Sequence, residues 1–388
     1  MTEIKNIEFY LFKLPLNIKL NIKNNFISFR EAILIKSYFS DGIVAFGEIN
    51  PLPYFHRETL EDILKHLPFL KKTIIGVNCG QDCSIFSRDD LKPLGDILDL
   101  LKANKYLEKM IESLPSMAFG IESMFFAYYI LKDFKAKQQE DAKIKIAKLI
   151  NDLSCMDEDY FLRIADEGYE RIKIKIGRLN PDYETTKLNK ITDLILKEKS
   201  SIKVRLDANN LWDVHATADF CKNINPACID YIEDPAGSLM QFEDFFYKCR
   251  IFTAADELLG MIDSFNEIER ELVKTNFKES RFLKALILKP GFLGGFLKTK
   301  HFIDKAKLNN IVPVVSHCFE SNYSLRLNFI FAYISKISEH ITGLNSEDFF
   351  LENLLNNTIA ASKSSVMLSR VFAGLCSINE KYLTKLNI

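Results

Sequence analysis

The second half of the chain alternates short apolar strands with amphipathic helices, and this rhythm limits the folds that the chain can adopt. From about residue 143, eight such strands follow one another about 25 to 35 residues apart. They read KIAKLI, RIKIKI, SIKVRLDAN, IDYIED, FTAADE, ALILKP, IVPVVSH and SEHITGL. Eight parallel strands that each lead into a helix close into a barrel, so we predict an α/β barrel of the TIM type.

The first part of the chain has a different pattern. Three strands, IEFYLFKL, EAILIKSYF and IVAFGEI, are followed by helical segments such as RETLEDILKHLPFLKK and SMAFGIESMFFAYYILKDF. An antiparallel sheet followed by helices indicates an α+β domain. We predict an α+β capping domain at 1–140, the barrel at 141–350, and a C-terminal segment at 351–388 that packs on the cap and completes it.

Composition excludes several classes of partner. Lys plus Arg total 51 against 52 for Asp plus Glu, so a net charge of −1 favours neither nucleic acid nor an anionic membrane. No uncharged apolar run reaches the roughly 20 residues of a membrane helix. The eight cysteines form no CxxC pair, which argues against a zinc site or a disulfide framework. We expect a cytoplasmic protein with a small-molecule partner; the oligomeric state stays open.

Two of the predicted barrel strands carry polar residues on one face. In RIKIKI the isoleucines alternate with cations, and SIKVRLDAN has the same arrangement. Because helices cover the outside of a barrel, the apolar face points outward and Lys173, Lys175, Asp207 and Asn209 point inward. Buried charges are costly unless they are paired, so these residues should meet partners of opposite charge.

Further charged residues follow the next strands. Glu233 ends YIED, Asp256 ends TAAD and Lys289 follows LIL. Since the carboxyl ends of barrel strands meet at one mouth, three carboxylates from consecutive strands should converge there and repel each other unless they hold a cation. Oxygen ligands with open positions suit Mg²⁺, with Mn²⁺ as the alternative. Such a site can stabilise an enolate dianion formed from a small-molecule carboxylate.

The order KxK, Asp, Glu, Asp, Lys resembles the muconate lactonizing subgroup of the enolase superfamily, whose members pair a Lys or His base with Mg²⁺. More narrowly, GEINPLPYFHRETLED at 47–62 and GLNSEDFF at 343–350 are similar to the o-succinylbenzoate synthases. This resemblance implies a lyase that dehydrates a succinyl hydroxycyclohexadiene carboxylate to o-succinylbenzoate in menaquinone biosynthesis.

The resemblance also implies roles for individual residues. Lys175 would take the α-proton and return it to the departing hydroxyl, with a pKa lowered by burial and by Lys173. Lys289 would be a cationic stabiliser on the opposite side of the ring. Arg205 and Asn209 would support the metal ligand Asp207. The residues expected to contact substrate are Leu52, Phe55, Arg30, Ser316 and Gly343, with Arg30 on a mobile lid formed by NNFISFR.

This chain departs from the family pattern at a few positions. Tyr54 stands where a glycine is usual, and His317 and Cys318 stand where serines are common. These residues should reshape the substrate pocket and leave the metal site unchanged. The second acidic motif reads IEDP in place of IEEP, and we expect little effect from Asp234.

Two other functions use the same scaffold. Lys175 and Lys289, as bases on opposite faces, would also suit a racemase of N-acylated amino acids or a dipeptide epimerase. A barrel that only binds a metal or a partner, without turnover, is an alternative of another class. It has no need for a lysine base, so the retained lysines argue against it.

Overall fold

The computed structural model describes residues 2–23, 25–79, 91–133, 142–209, 212–262, 264–274, 281–359, 364–375 and 377–388. The strands are β1 (Ile4–Ile22), β2 (Asn25–Phe39), β3 (Val44–Ile49), β4 (Lys143–Lys145), β5 (Lys148–Ile150), β6 (Arg171–Lys175), β7 (Lys203–Asp207), β8 (Ile229–Glu233), β9 (Thr253–Ala255), β10 (Leu283–Leu288), β11 (Val312–Val315), β12 (Ser365–Met367) and β13 (Leu383–Lys385). The α-helices are α1 (Leu60–Ile74), α2 (Lys92–Lys102), α3 (Lys105–Ser113), α4 (Pro115–Lys132), α5 (Glu158–Asp166), α6 (Pro181–Lys197), α7 (Val214–Lys222), α8 (Leu239–Cys249), α9 (Phe265–Lys274), α10 (Pro290–Leu293), α11 (Phe296–Leu308), α12 (Asn322–Ile334) and α13 (Leu368–Phe372).

The capping domain is built on an antiparallel sheet in the order β13, β1, β2, β3. The three predicted strands are present, but β1 and β2 form a longer hairpin than expected, with a register shift between Pro15 and Leu20. Most of the predicted lid NNFISFR therefore lies in β2, while its Asn24 is outside the described residues. The C-terminal strand β13 pairs with β1, so the tail completes the cap sheet as predicted.

Helix α4 joins the cap to the barrel. Except for Ser116, Glu122 and Ser123 it is apolar on every side, and it is buried from Ser116 to Ile130, as expected for a helix enclosed between layers. A Cβ atom at Gly47 in β3 would lie 2.2 Å from the Gly120 carbonyl oxygen, so a side chain there would push helix and sheet apart. On its other face, the Phe126 ring packs 4.6 Å from that of Phe296.

Within the described part of the chain, no single helix is long and apolar enough to cross a membrane. The consecutive helices α3 and α4 reach the required length and composition only together, and they are bent by 111°.

The barrel consists of seven hydrogen-bonded parallel strands, β5 to β11 in chain order, among the described residues. The predicted eighth strand, SEHITGL, forms a single parallel bridge between Ile146 and Thr342. It closes the ring because Ala147 N donates to Thr342 O at 2.9 Å and Gly343 N donates to Val315 O at 2.8 Å. The predicted α/β barrel with an α+β cap is thereby confirmed.

The predicted first strand KIAKLI is divided. Its start, β4, pairs antiparallel with β12 from the C-terminal segment, and only β5 belongs to the barrel. The predicted domain boundary at 140/141 touches residues outside the described ranges, and the one at 350/351 stays a prediction.

Candidate active site

Strand β6 presents its two lysines to the barrel interior. Ile172 and Ile174 are fully buried beneath the outer helices, while Lys173 and Lys175 alternate with them and face the opposite way. Lys175 lies opposite Asp207 in the β6–β7 pairing, and Asp207 lies opposite Glu233 in the β7–β8 pairing. The strand register thus brings a lysine and two carboxylates to the same level at the carboxyl ends of the strands.

Lys173 links two of the carboxylates. Its Nζ lies 2.9 Å from Asp207 Oδ2 and 2.5 Å from Glu233 Oε2. Burial alone would lower the pKa of Lys173, but the nearby carboxylates raise it well above its ordinary value. Burial raises the pKa of Glu233 to about 7. The positive charge of Lys173 opposes this rise, and the negative charges of Asp207 and Asp256 add to it. Burial would also raise the pKa of Asp207, but the ammonium groups of Lys173 and Lys175 hold it below its usual range.

Lys175 and Lys289 differ in the direction of their pKa shifts. Burial lowers the pKa of Lys175 from 10.5 to about 8. The negative charge of Asp207 opposes this shift, and the positive charges of Arg178 and Lys173 lower the pKa further. Lys289 Nζ lies 2.7 Å from Asp256 Oδ1 and Oδ2, and this carboxylate outweighs burial and raises the Lys289 pKa. Near neutral pH a larger fraction of Lys175 than of an ordinary lysine is therefore neutral and able to accept a proton, whereas Lys289 stays a cation.

The two lysines approach the cavity from opposite walls. Lys175 ends the second barrel strand and Lys289 follows the sixth, and strands four apart in a ring of eight lie across from each other. Both side chains line the same cavity. A planar carbon acid held between them would have an amine on one face and an ammonium group on the other.

The carboxylates of Asp207, Glu233 and Asp256 have the donor chemistry of a Mg²⁺ site. The described residues contain no cluster of three His, Cys, Asp or Glu side chains arranged to hold one ion, and Lys173 and Lys289 lie against these carboxylates. Asp256 Oδ1 is buried and accepts no aligned hydrogen bond. The residues fit a divalent ion by donor type and burial, and the ligand assignment stays a prediction.

The cavity above these groups is formed by both domains. Four of the five predicted substrate contacts line it: Leu52, Phe55, Ser316 and Gly343. The Phe55 ring centroid lies 4.8 Å from Lys289 Nζ, which is within range of a cation–π interaction. The other lining residues are Asn21, Ile22, Lys23, Ala147, Leu149, Lys173, Lys175, Asp207, Asn209, Glu257, Lys289, His317, Cys318, Phe319 and Asn345.

Arg30, the fifth predicted contact, lies away from the cavity wall. It is 1% exposed and donates from Nε to Phe319 O at 3.1 Å and from Nη1 to Pro51 O at 3.3 Å. A buried guanidinium needs several acceptors, and backbone carbonyls of both domains supply them. Arg30 thus anchors the loop after β11 to the cap, and its contact with substrate stays a prediction that this position does not favour.

Arg205 is one layer deeper than predicted. Its Nε donates to Asp230 Oδ2 at 3.3 Å and its Nη1 to Ile341 O at 3.0 Å, so it does not support Asp207 directly. Asp230 also contacts Arg171 Nε at 2.9 Å and Lys284 Nζ at 2.7 Å. Arg171 and Arg205 lie two residues before Lys173 and Asp207 on their strands, and alternate residues of a strand occupy successive layers of a barrel, so these four side chains form a charged floor below the carboxylates.

Asn209 lies beside Asp207. Its backbone N–H donates to Asp207 Oδ1 at 3.0 Å, in a left-handed backbone conformation with φ of +47°. Its side-chain Oδ1 accepts from Arg178 Nη2 at 3.3 Å. Arg178 was not predicted, since an arginine after a strand carries no sequence signal for this contact.

Asp234 makes more contacts with the site than its sequence context indicated. Its carboxylate accepts from the backbone N–H of Asp256 at 3.0 Å and of Glu257 at 2.6 Å, and it is 2% exposed. It therefore positions the backbone that carries the Asp256 side chain. The available signal was its place directly after Glu233, where a turn residue with φ of +39° leads out of the strand.

Residues 158–370, more than half of the chain, match the family model described as Enolase C-terminal domain-like. The chain belongs to the enolase superfamily. Residues 4–76 match the model described as MenC, N-terminal domain.

Curated relatives of this superfamily member cover both domains. The chain is 26% identical to the o-succinylbenzoate synthase of Pasteurella multocida over 84% of each chain. It is 24% identical to the o-succinylbenzoate synthase of Proteus mirabilis, over 91% of this chain and 93% of that protein.

Solved structures share the superfamily fold. A muconate lactonizing enzyme from Pseudomonas fluorescens has a TM-score of 0.75 at 17% identity, covering 99% of this chain and 100% of that one. An N-succinyl Arg/Lys racemase from Bacillus cereus has a TM-score of 0.73 at 18% identity with the same coverage. A dipeptide epimerase from Cytophaga hutchinsonii, complexed with Mg and a dipeptide, has a TM-score of 0.72 at 18% identity over 99% of each chain.

Proposed function

We propose that the protein is an o-succinylbenzoate synthase, a carbon–oxygen hydro-lyase of menaquinone biosynthesis. It would dehydrate 2-succinyl-6-hydroxy-2,4-cyclohexadiene-1-carboxylate to o-succinylbenzoate. The observation that carries this proposal is the match of the cap, residues 4–76, to the MenC N-terminal domain. The charged barrel residues suit several reactions on carboxylates, whereas the cap supplies part of the cavity wall and so helps to discriminate between substrates. The names of the curated relatives support the same reaction.

The proposed cofactor is Mg²⁺, which Mn²⁺ could replace. The carboxylates of Asp207, Glu233 and Asp256 would hold it, as their burial at adjacent strand ends allows. When bound, the ion supplies a Lewis acid that withdraws negative charge from the substrate carboxylate.

Lys175 is the proposed base. Its neutral Nζ takes the proton from the carbon next to the carboxylate, and its pKa of about 8 gives a substantial neutral fraction near neutral pH. The same group, now an ammonium, returns the proton to the hydroxyl that leaves on the same face as water. Syn elimination by one residue requires only one titrating amine in the cavity.

Lys289 and Lys173 stay protonated throughout this reaction. Lys289 faces the substrate ring from the opposite wall and offsets the negative charge that spreads over the ring after proton removal. Lys173 lies deeper, against Asp207 and Glu233, and contributes positive charge that favours a neutral Lys175. Phe55 beside Lys289 would help to orient the ring.

The second candidate is an N-acylamino acid racemase or dipeptide epimerase. The opposed positions of Lys175 and Lys289 favour it, since racemisation needs a proton donor and an acceptor on opposite faces. The shared fold with an N-succinyl Arg/Lys racemase and a dipeptide epimerase is compatible with this chemistry. A third candidate, of another class, is a barrel that binds metal or a partner without turnover.

One assay separates these candidates. Purified protein is supplied with Mg²⁺ and the cyclohexadiene substrate, and the aromatic product is followed by ultraviolet absorbance. We expect turnover that EDTA abolishes and added Mg²⁺ or Mn²⁺ restores. Racemisation of N-succinyl amino acids without formation of o-succinylbenzoate would favour the second candidate. If the protein converts neither the cyclohexadiene nor the N-succinyl amino acids, the result would favour the third candidate, a binding protein. Turnover that survives EDTA would contradict the metal assignment.

A further inference from the structure

The loop after β11 places a histidine in the cavity wall. His317 is 7% exposed and lines the cavity together with Ser316 and Cys318. Burial, and then the positive charges of Lys289, Lys173 and Lys175, lower the pKa of His317 well below its ordinary value. The imidazole is therefore neutral, and one ring nitrogen carries a proton while the other has a lone pair.

The hydrogen bonds of the loop decide which nitrogen is protonated. Nδ1 of His317 accepts from the backbone N–H of Phe319 at 3.1 Å, so Nδ1 has the lone pair and Nε2 carries the proton. Within the described part of the chain, Nε2 has no hydrogen-bond partner. A donor in the wall of a largely buried cavity is costly to leave unpaired, so a bound molecule is expected to satisfy it.

The His317 ring is held rigidly. It packs edge-on against the Phe319 ring, with centroids 4.8 Å apart and planes at 79°. Phe319 O accepts from the buried Arg30, and Cys318 N donates to Glu320 Oε2 at 2.7 Å. A donor fixed in this way loses little conformational entropy on binding, as expected for a binding residue.

We infer that His317 donates a hydrogen bond from Nε2 to a carbonyl or carboxylate oxygen on the side arm of the substrate, and that it is a specificity-determining residue. This inference rests on the proposed function. His317 follows the seventh barrel strand, whereas Asp207 ends the third, across the barrel. A substrate whose ring carboxylate lies at the proposed metal site can therefore extend a side arm towards His317. The succinyl arm has a ketone and a carboxylate, and both accept hydrogen bonds.

Two variants separate the donor from the loop contact. His317→Asn keeps an acceptor near Nδ1 for the Phe319 N–H but has no donor that reaches the Nε2 position. His317→Gln places a side-chain N–H near Nε2 and lacks the acceptor near Nδ1. We expect His317→Asn to lower kcat/KM about tenfold to a hundredfold, mainly through KM, and His317→Gln to stay within about threefold of the natural protein.

Calorimetric binding of o-succinylbenzoate and of benzoate to the Mg²⁺-loaded protein completes the test. His317→Asn should lower the affinity for o-succinylbenzoate by the same factor, and it should leave the affinity for benzoate, which lacks the arm, unchanged. The inference would be overturned if His317→Gln lost more kcat/KM and affinity than His317→Asn, or if both variants lost them equally. A ¹⁵N NMR spectrum that places the proton on Nδ1 would also overturn it. If the natural protein binds o-succinylbenzoate but does not form it, the proposed reaction fails while the binding series still judges His317. If it does neither, both fail.

Discussion

Replacing Lys175 by alanine removes the amine to which we assign proton transfer. Its pKa of about 8, against 10.5 for an ordinary lysine, means that at pH 8 about half of the side chains are neutral. An unshifted lysine would be about 0.3% neutral, so burial raises the reactive form roughly 150-fold. A positioned base contributes about 10² to 10⁴ in rate. We therefore expect Lys175→Ala to lower kcat by 10³-fold or more.

The assay is steady-state dehydration at pH 8, followed by ultraviolet absorbance, with exchange of the α-proton in D₂O as a second readout. Lys175→Arg keeps a positive charge but cannot act as a base near neutral pH, so it should lose as much activity as the alanine variant. Lys203→Ala is the matched control, because Lys203 starts the neighbouring strand and its Nζ donates to Ala227 O, away from the cavity. Turnover by Lys175→Ala within tenfold of the natural protein would refute the assignment of the base.

Three more outcomes follow from the same geometry. Because only neutral Lys175 accepts a proton, kcat/KM should rise with pH, reach about half of its limiting value near pH 8 and level off above it; a pH–rate profile that falls as the pH rises towards 8 would contradict the assignment. Lys289→Ala should lower kcat about 10²-fold or more, since the opposing positive charge is lost; steady-state kinetics that change only KM would argue against charge stabilisation. Asp230→Ala leaves three buried or half-buried cations without their shared carboxylate, so the free energy of unfolding in urea should fall by about 3 kcal/mol; an unchanged midpoint would show that solvent screens this cluster.

The barrel and its polar interior could be predicted because they are encoded by local patterns. Lys173 and Lys175 alternate with isoleucines, and a period of two assigns them to one face of a strand without knowledge of the fold. Parallel strands then bring residues at their carboxyl ends to one mouth, which is sufficient to place Asp207 and Glu233 at one level.

Contacts made across the two domains could not be predicted in this way. Arg30 has the sequence context of a lid residue, yet its partners are the carbonyls of Phe319 and Pro51, which lie far away along the chain. The extent of the β1–β2 hairpin was also missed. Apolar and polar residues alternate from Leu16 to Ile22, but Pro15 interrupts the first strand in the sequence, and the register shifts between Pro15 and Leu20.

Hydrogen bonds that position the backbone could not be predicted from the sequence either. Asp234 and Asn209 lie in left-handed conformations one and two residues after the ends of their strands, where they hydrogen-bond the groups around Asp256 and Asp207. Their sequence signal is that of ordinary turn residues. His317 was noted as a departure from the family pattern, but its protonated nitrogen became clear only from the Phe319 N–H that its other nitrogen accepts.

The central claim is that Asp207, Glu233 and Asp256 hold one divalent ion beneath a substrate enclosed by Lys175 and Lys289. A crystal structure with Mn²⁺ and o-succinylbenzoate, analysed by anomalous scattering, tests this most directly. We predict one Mn²⁺ peak about 2.1 Å from an oxygen of each carboxylate, with the aromatic ring between the two lysines. A peak bound elsewhere, or Lys173 still bridging Asp207 and Glu233 with no ion nearby, would contradict it.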